Sequence, residues 1–241
     1  MVVGAARKRS TRALLAPPDR LDFSVAGTHL GRMSQLALFQ HERRMLFEGA
    51  KGHVTYVPGS VAQVKADAWF AVLCDTIAWQ KQRRMMYDRE VDVPRLTAHF
   101  ALDDGALPAA LRDAAAVAAR VAGACFNSVG LNLYRDGNDS VAAHNDRLDD
   151  LVAGAPIALL SLGATRRMTI AAKDKSQRAL HIDLEAGSVL LMDYVSQLHL
   201  LHGIAKTRNV TGARISLAFR QRPRDAVRAG ASGHAAKSGI D

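Results

Sequence analysis

FNSVGLNLYRDGNDSVAAHND, residues 126–146, is the stretch on which the fold turns. Its first part, SVGLNLY, has the period-two pattern of a strand, with Asn132 and Tyr134 two residues apart and therefore on one face. RDGNDS supplies the glycine, asparagine and aspartate of a turn. HND follows, and on an extended chain His144 and Asp146 point the same way.

Downstream the same texture continues in short apolar runs: PIALLSLG (156–163), RMTIAA (167–172), ALHIDLE (179–185), GSVLLMDY (187–194) and RISLAFR (214–220). Glycine, proline and charged clusters separate them, as expected for strands of a sandwich or barrel. Upstream the period becomes helical. One amphipathic helix is expected over 61–82, with Val64, Ala68, Ala71, Val72, Ile77 and Ala78 recurring at its spacing, and another over 107–123 on Leu107, Leu111, Ala114, Ala118 and Val121. Gly123 stands where that second helix should stop, and a further helix is expected within 29–47. Helices before strands predict an α+β domain in which the helices back one face of a double-sheet jelly roll. Its bounds are 29–223, between a flexible basic extension over 1–28 and a basic tail over 224–241.

With 241 residues, 49% of them hydrophobic, the chain is long enough for one well-buried catalytic domain and short for two. The formal charge of +9 favours polyanionic partners, because neutralising phosphates releases counterions. Cys74 and Cys125 sit in apolar stretches without metal or redox spacing, and are expected as buried free thiols. No apolar run approaches the roughly 20 residues needed to span a bilayer, so a cytoplasmic protein is expected.

His144 and Asp146 need a third partner to hold a metal, and His202 in LHGI is the best placed. Two imidazoles and one carboxylate leave coordination positions open, which suits Fe(II) oxygenases, although zinc hydrolases also use His and Asp. RISLAFR narrows the choice, because Arg214 and Arg220 face one side of an apolar strand and are costly to bury without an anion. A dicarboxylate such as 2-oxoglutarate would satisfy both the metal and a planar guanidinium. Asn132, Tyr134 and Ser216 lie on faces from which they could bond to it.

These blocks, together with YVPGSV, IAWQ and VPRLTA, resemble the AlkB family of oxidative demethylases over roughly residues 53–223. The resemblance implies a double-stranded β-helix core, Fe(II) as cofactor, 2-oxoglutarate as co-substrate and molecular oxygen. It further implies removal of N-alkyl groups from nucleic-acid bases, a DNA-repair chemistry that releases succinate, CO2 and formaldehyde. It assigns His144, Asp146 and His202 to the iron, and Asn132, Tyr134, Arg214, Ser216 and Arg220 to 2-oxoglutarate, Ser216 standing where the family usually has asparagine. Two departures touch the substrate side: the segment after PRLTAHF is only ALDDGA, where the family has a longer aromatic-rich lid, and Arg147-Leu148 interrupt the acidic run that usually follows the iron-binding aspartate. They leave open an AlkB-like oxygenase acting on a protein, lipid or small molecule. His144 itself, His99, Tyr87 and Trp79 are candidate surfaces for a flipped base. Arg83, Arg84, Arg89, Arg95, Arg135 and Arg147 are candidates for a basic groove.

Overall fold

The structure, a computed structural model, describes residues 42–86, 89–209, 211–223 and 227. The extension over 1–28, most of the tail beyond 223, Tyr87 and the larger part of the helix expected within 29–47 lie outside the described residues.

Strands β1 (Arg44–Gly49) and β2 (Gly52–Val57) pair first, followed by helix α1 (Gln63–Thr76), the antiparallel pair β3 (Gln80–Met86) and β4 (Arg89–Ala101), and helix α2 (Ala109–Ala122). Then come β5 (Ser128–Tyr134), β6 (Val141–His144), a single 3-10 turn at Leu148–Asp150, β7 (Ile157–Gly163), β8 (Arg166–Ala172) and β9 (Leu180–Leu184). β10 (Val189–Met192), the short helix α3 (Tyr194–His199), β11 (Leu200–Ile204) and β12 (Arg214–Arg220) complete the order. The strands form an eight-stranded sheet, β1-β2-β10-β7-β12-β5-β4-β3, and a four-stranded sheet, β6-β11-β8-β9.

Strand alternation divides the interior into two cores. On β5, β7 and β12, residues such as Leu131, Leu133, Leu160, Leu162, Ile215, Leu217 and Phe219 pack with Trp69 and Leu73 of α1 and Leu111, Ala114 and Ala118 of α2. The opposite parity contributes Tyr134, Ile157, Leu159 and Ala218 to a second core, with Met168, Ile170, Ala172, Leu200 and Ile204 of the smaller sheet. The large sheet is therefore buried on both faces, under helices on one side and the small sheet on the other. This is the jelly-roll arrangement expected, with helices on one sheet.

α2 ends as its sequence suggests: Gly123 takes φ 63°, a left-handed conformation that glycine adopts without a Cβ clash. α1 differs from expectation in both length and orientation. It stops at Thr76, and residues 80–82 already belong to β3. Val64 is 84% exposed and Val72 43% exposed, while Ala66, Trp69, Leu73 and Ile77 are buried. Two apolar stripes overlap in this segment, and the one holding Trp69 and Leu73 removes more apolar surface from water.

The order of elements is also corrected, because four strands precede α2 and residues 44–49 form a strand, not the end of a helix. β1 and β3 escaped notice for a common reason. They are edge strands with mostly exposed residues, so no apolar alternation is imposed on them. The thiols are free, as expected, but Cys125 is exposed and Cys74 only partly buried. Among the described residues no helix is long and apolar enough to cross a membrane.

The two stripes of α1 can be told apart by mutation. Leu73→Ala, at a site with no exposure, should lower unfolding free energy by about 2–4 kcal/mol in urea titrations. Val64→Ala should change it by less than about 0.5 kcal/mol; a large loss there would mean that the helix is turned the other way.

Candidate active site

His144 closes β6, and His202 lies directly opposite it on β11, a cross-strand pairing that brings the ring centroids to 4.5 Å. Asp146 lies two residues past the end of β6, so a shared strand face is not what orients it. Two other contacts do. Its backbone N–H donates to Oε1 of the buried Gln197 at 3.0 Å, and its carboxylate accepts from Nε and Nη2 of Arg220 at 2.6 and 3.0 Å. One ligand atom from each of His144, Asp146 and His202 then lies within 4.8 Å of the others.

The protonation states suit a cation. His144 Nδ1 is 2.9 Å from the Ala142 carbonyl, to which it must donate, so Nε2 is the nitrogen left to face a metal. Burial lowers the pKa of His202 to about 4, assisted by His144 and opposed by Asp146, so the ring is neutral at pH 7. Burial pushes Asp146 up, but Arg220 and the two histidines outweigh it and hold the carboxyl below its ordinary range. The neutral His202 imidazole and the ionised Asp146 carboxylate can take up a divalent metal without first shedding a proton.

Beneath this cluster, on the inner face of β5 and β12, lie the other residues singled out in the sequence. Arg214 has no exposed surface. Its Nη2 donates to Ser161 Oγ at 2.9 Å, its guanidinium stands 5.3 Å from the centre of the Tyr134 ring, and its Nε and Nη1 have no hydrogen-bond partner. Burial lowers its pKa to about 10, which still leaves it charged at neutral pH. Ser216 is in register with both Asn132 and Ser161, and Asn132 Oδ1 accepts from Arg95 Nε at 2.7 Å.

A cavity of about 980 Å³ opens over the cluster, lined by His144, Asp146, Arg220 and Asn132 on one side and by Gln80, Gln82, Arg95 and His99 of β3 and β4 on the other. Tyr134, Arg214 and Ser216 are not part of that lining. Gly130 faces it because a Cβ there would stand 3.3 Å from Arg220 Nη1 and 3.7 Å from His99 Nδ1.

The groups expected on the substrate side are dispersed differently. His99, Arg95 and Arg147 do line the cavity. Trp79 packs against the helix-side core and donates its indole N–H to the Cys74 carbonyl at 3.3 Å, so it offers no stacking face there. Arg83 pairs with Asp92 and Arg135 with Asp139, and neither arginine reaches the cavity. Arg84 and Arg89 have no described side chains.

Sequence reasoning missed Gln197, Ser161, Lys206 and Arg222 as site residues. Ser161 carried a signal, being a polar residue inside an apolar strand run; Gln197 carried none, since its role depends on where α3 docks.

Residues 104–220 match the model of the 2OG-Fe(II) oxygenase superfamily. The DNA oxidative demethylase ALKBH2 of Bos taurus is 34% identical over 108 residues, 42% of this chain and 39% of that one. The alpha-ketoglutarate-dependent dioxygenase alkB homolog 3 of Homo sapiens is 29% identical over 190 residues, 69% of this chain and 65% of that one. Matches thus span about two fifths and two thirds of these relatives' lengths. The solved structure of OsALKBH1 superposes with a TM-score of 0.53 at 13% identity, covering 74% of this chain and all of that one. The epimerase SnoN, solved with Fe3+, alpha-ketoglutarate and nogalamycin RO, superposes at 0.51 and 14% identity, covering 79% and 88%. At such identities these two report on fold alone.

Fold and matched segment together define a 2OG-Fe(II) oxygenase. Within that superfamily the chain is similar to the AlkB-family dioxygenases ALKBH2 and alkB homolog 3. The superfamily's metal and co-substrate are Fe(II) and 2-oxoglutarate, and the residues present fit both. The His-Asp-His donor set suits a six-coordinate divalent iron with positions to spare, and the two unpartnered nitrogens of Arg214 suit a carboxylate.

A neutral buried histidine has a signature in the metal-free protein. Since its folded pKa of about 4 lies below the unfolded value of 6.5, the unfolded chain binds the extra proton between those pH values. Stability should be fully present above pH 6.5 and fall as pH drops toward 4, by about 3 kcal/mol at most. In chelator-treated protein, His202→Asn should flatten that part of the urea-midpoint profile; an unchanged slope would assign the dependence elsewhere.

Proposed function

We propose that this chain is an Fe(II)- and 2-oxoglutarate-dependent demethylase of N-alkylated nucleic-acid bases. The observation that carries it is the joint presence of the His144, Asp146 and His202 cluster and a fully buried, half-partnered Arg214. The nucleic-acid substrate draws support from the ALKBH2 relatives being DNA oxidative demethylases, from the basic balance of the chain and from a cavity large enough for a base.

In this reading His144, Asp146 and His202 hold the iron, while Arg214 receives the distal carboxylate of 2-oxoglutarate, with Tyr134 and Ser216 beside it. Asn132 and Arg220 attend its keto-acid end. Bound iron with 2-oxoglutarate supplies the activation of dioxygen, coupled to oxidation of the keto acid to succinate and CO2. One oxygen atom ends in succinate and the other in the methyl C–H bond; the hydroxymethyl amine then breaks its C–N bond to give N–H and formaldehyde.

The protein's own part is placement. Gln197 and Arg220 fix Asp146 from two directions, so a ligand on a loop is held as firmly as one on a strand. The Arg220 pair also keeps Asp146 ionised. Domain bounds of 29–223 and a reducing cytoplasmic setting, in keeping with two free thiols, complete the proposal.

Anaerobically iron-loaded protein, given oxygen, 2-oxoglutarate and an oligonucleotide containing 1-methyladenine or 3-methylcytosine, should release formaldehyde and succinate in equal amounts, and His144→Ala should release neither. Succinate without formaldehyde would keep the oxygenase and turn the search to a protein, lipid or small molecule. Arg214→Met should raise the KM for 2-oxoglutarate on the order of 100-fold, from loss of a buried charged hydrogen-bond pair.

A further inference from the structure

Arg222 lies two residues beyond β12, at the end of the expected domain, where the sequence suggests no role for it. It is instead fixed on the cavity wall. Its backbone N–H donates to Asn127 Oδ1 at 2.8 Å, and its carbonyl accepts from Asn127 Nδ2 at 2.7 Å. The carbonyl of the preceding residue, Gln221, accepts from the Val152 N–H at 2.9 Å. A side chain on backbone clamped in this way is positioned, unlike a tail arginine.

What it lacks is an anion. Among the described residues no hydrogen bond or ion pair engages its guanidinium, and its Nε is buried without an acceptor. The carboxylates close enough to act on it are Asp146 and Asp150, facing it along with the cations Arg220 and Arg147. Asp146 is already bonded twice by Arg220, and Asp150 stands 3.8 Å from Arg147. Burial, with the neighbouring Arg220 adding to it, holds the Arg222 pKa below its ordinary value. A half-buried cation beside two other guanidiniums is unfavourable unless something negative arrives from the cavity.

Resting on the nucleic-acid reading above, we propose that Arg222 binds the backbone phosphate flanking the base that occupies the cavity. A phosphodiester is the anion that accompanies every base of a polynucleotide, and a guanidinium can grip two of its oxygens at once. Such a contact carries no base identity; it sets the register of the strand so that the alkylated base meets the metal cluster. Arg222 is therefore a substrate-binding residue, distinct from the arginines assigned to 2-oxoglutarate.

The test uses the full-length, iron-loaded chain and a single-stranded methylated oligonucleotide, unmodified or with one uncharged methylphosphonate linkage on either side of the lesion. For Arg222→Gln the loss should fall on KM, about tenfold, more than on kcat. The slope of log KM against log salt should shrink by about 0.7, one single-strand phosphate contact. Arg222→Lys should restore the salt slope. In the wild-type protein one of the two methylphosphonates should raise KM to a similar extent, and that linkage should have no further effect on Arg222→Gln. Equal KM and salt slope in wild type and Arg222→Gln, or an undiminished methylphosphonate effect in the variant, would overturn the assignment while leaving demethylation standing. A wild-type protein that forms succinate but demethylates no oligonucleotide would overturn the nucleic-acid reading, and this assignment with it.

Discussion

β12 must satisfy two environments at once, and much of the molecule follows from that constraint. One face of RISLAFR gives Ile215, Leu217 and Phe219 to the helices; the other carries Arg214, Ser216, Ala218 and Arg220 into the space between the sheets. Because strand parity is strict, a slip of one residue would push both guanidiniums under the helices and the apolar side chains into the polar interior. Pairing with β5 and β7 over nearly its whole length fixes that register, and brings Asn132, Tyr134 and Ser161 to the same inner surface. A fully buried arginine is thus built into the sheet's hydrogen-bonded ladder, and its charge creates the need that an acidic ligand would meet.

The same constraint explains which parts of the fold were legible. From Ser128 onward the strands, β6 excepted, bury residues on at least one face, so their alternation survives in sequence, and β5 and β12 coincide with the runs SVGLNLY and RISLAFR. β1 and β3, on the rim of the sheet, answer to no core and leave no pattern. α1 misled in another way, because alanines and valines make a plausible stripe beside the true one, and only the volumes of Trp69 and Leu73 distinguish them.

Legibility of the candidate site followed chemistry more than geometry. His144, Asp146 and His202 meet in space, yet the reason offered for Asp146, a common strand face, is not the reason the structure gives. Its orientation comes from Arg220 and from Gln197, which lie 74 and 51 residues away, and no local spacing announces such contacts. Arg222 was not singled out, because charge near the end of a domain usually means solvent. Its clamp is Asn127, which directly precedes β5, the strand beside β12, but lies 95 residues away in sequence.

The outer wall of the cavity is made in part from β3, whose Gln80, Lys81, Gln82 and Arg83 are all exposed, and whose pairing with β4 already contains a bulge between Lys81 and Arg83. Replacing exposed residues of this kind shifts stability by no more than about 0.5 kcal/mol. The metal cluster, by contrast, is tied through β12 to the centre of both cores. Substitution can therefore rewrite one side of this cavity at little risk to folding, while changes on the opposite side disturb both cores. A lineage with this architecture can change what it recognises much faster than what it does.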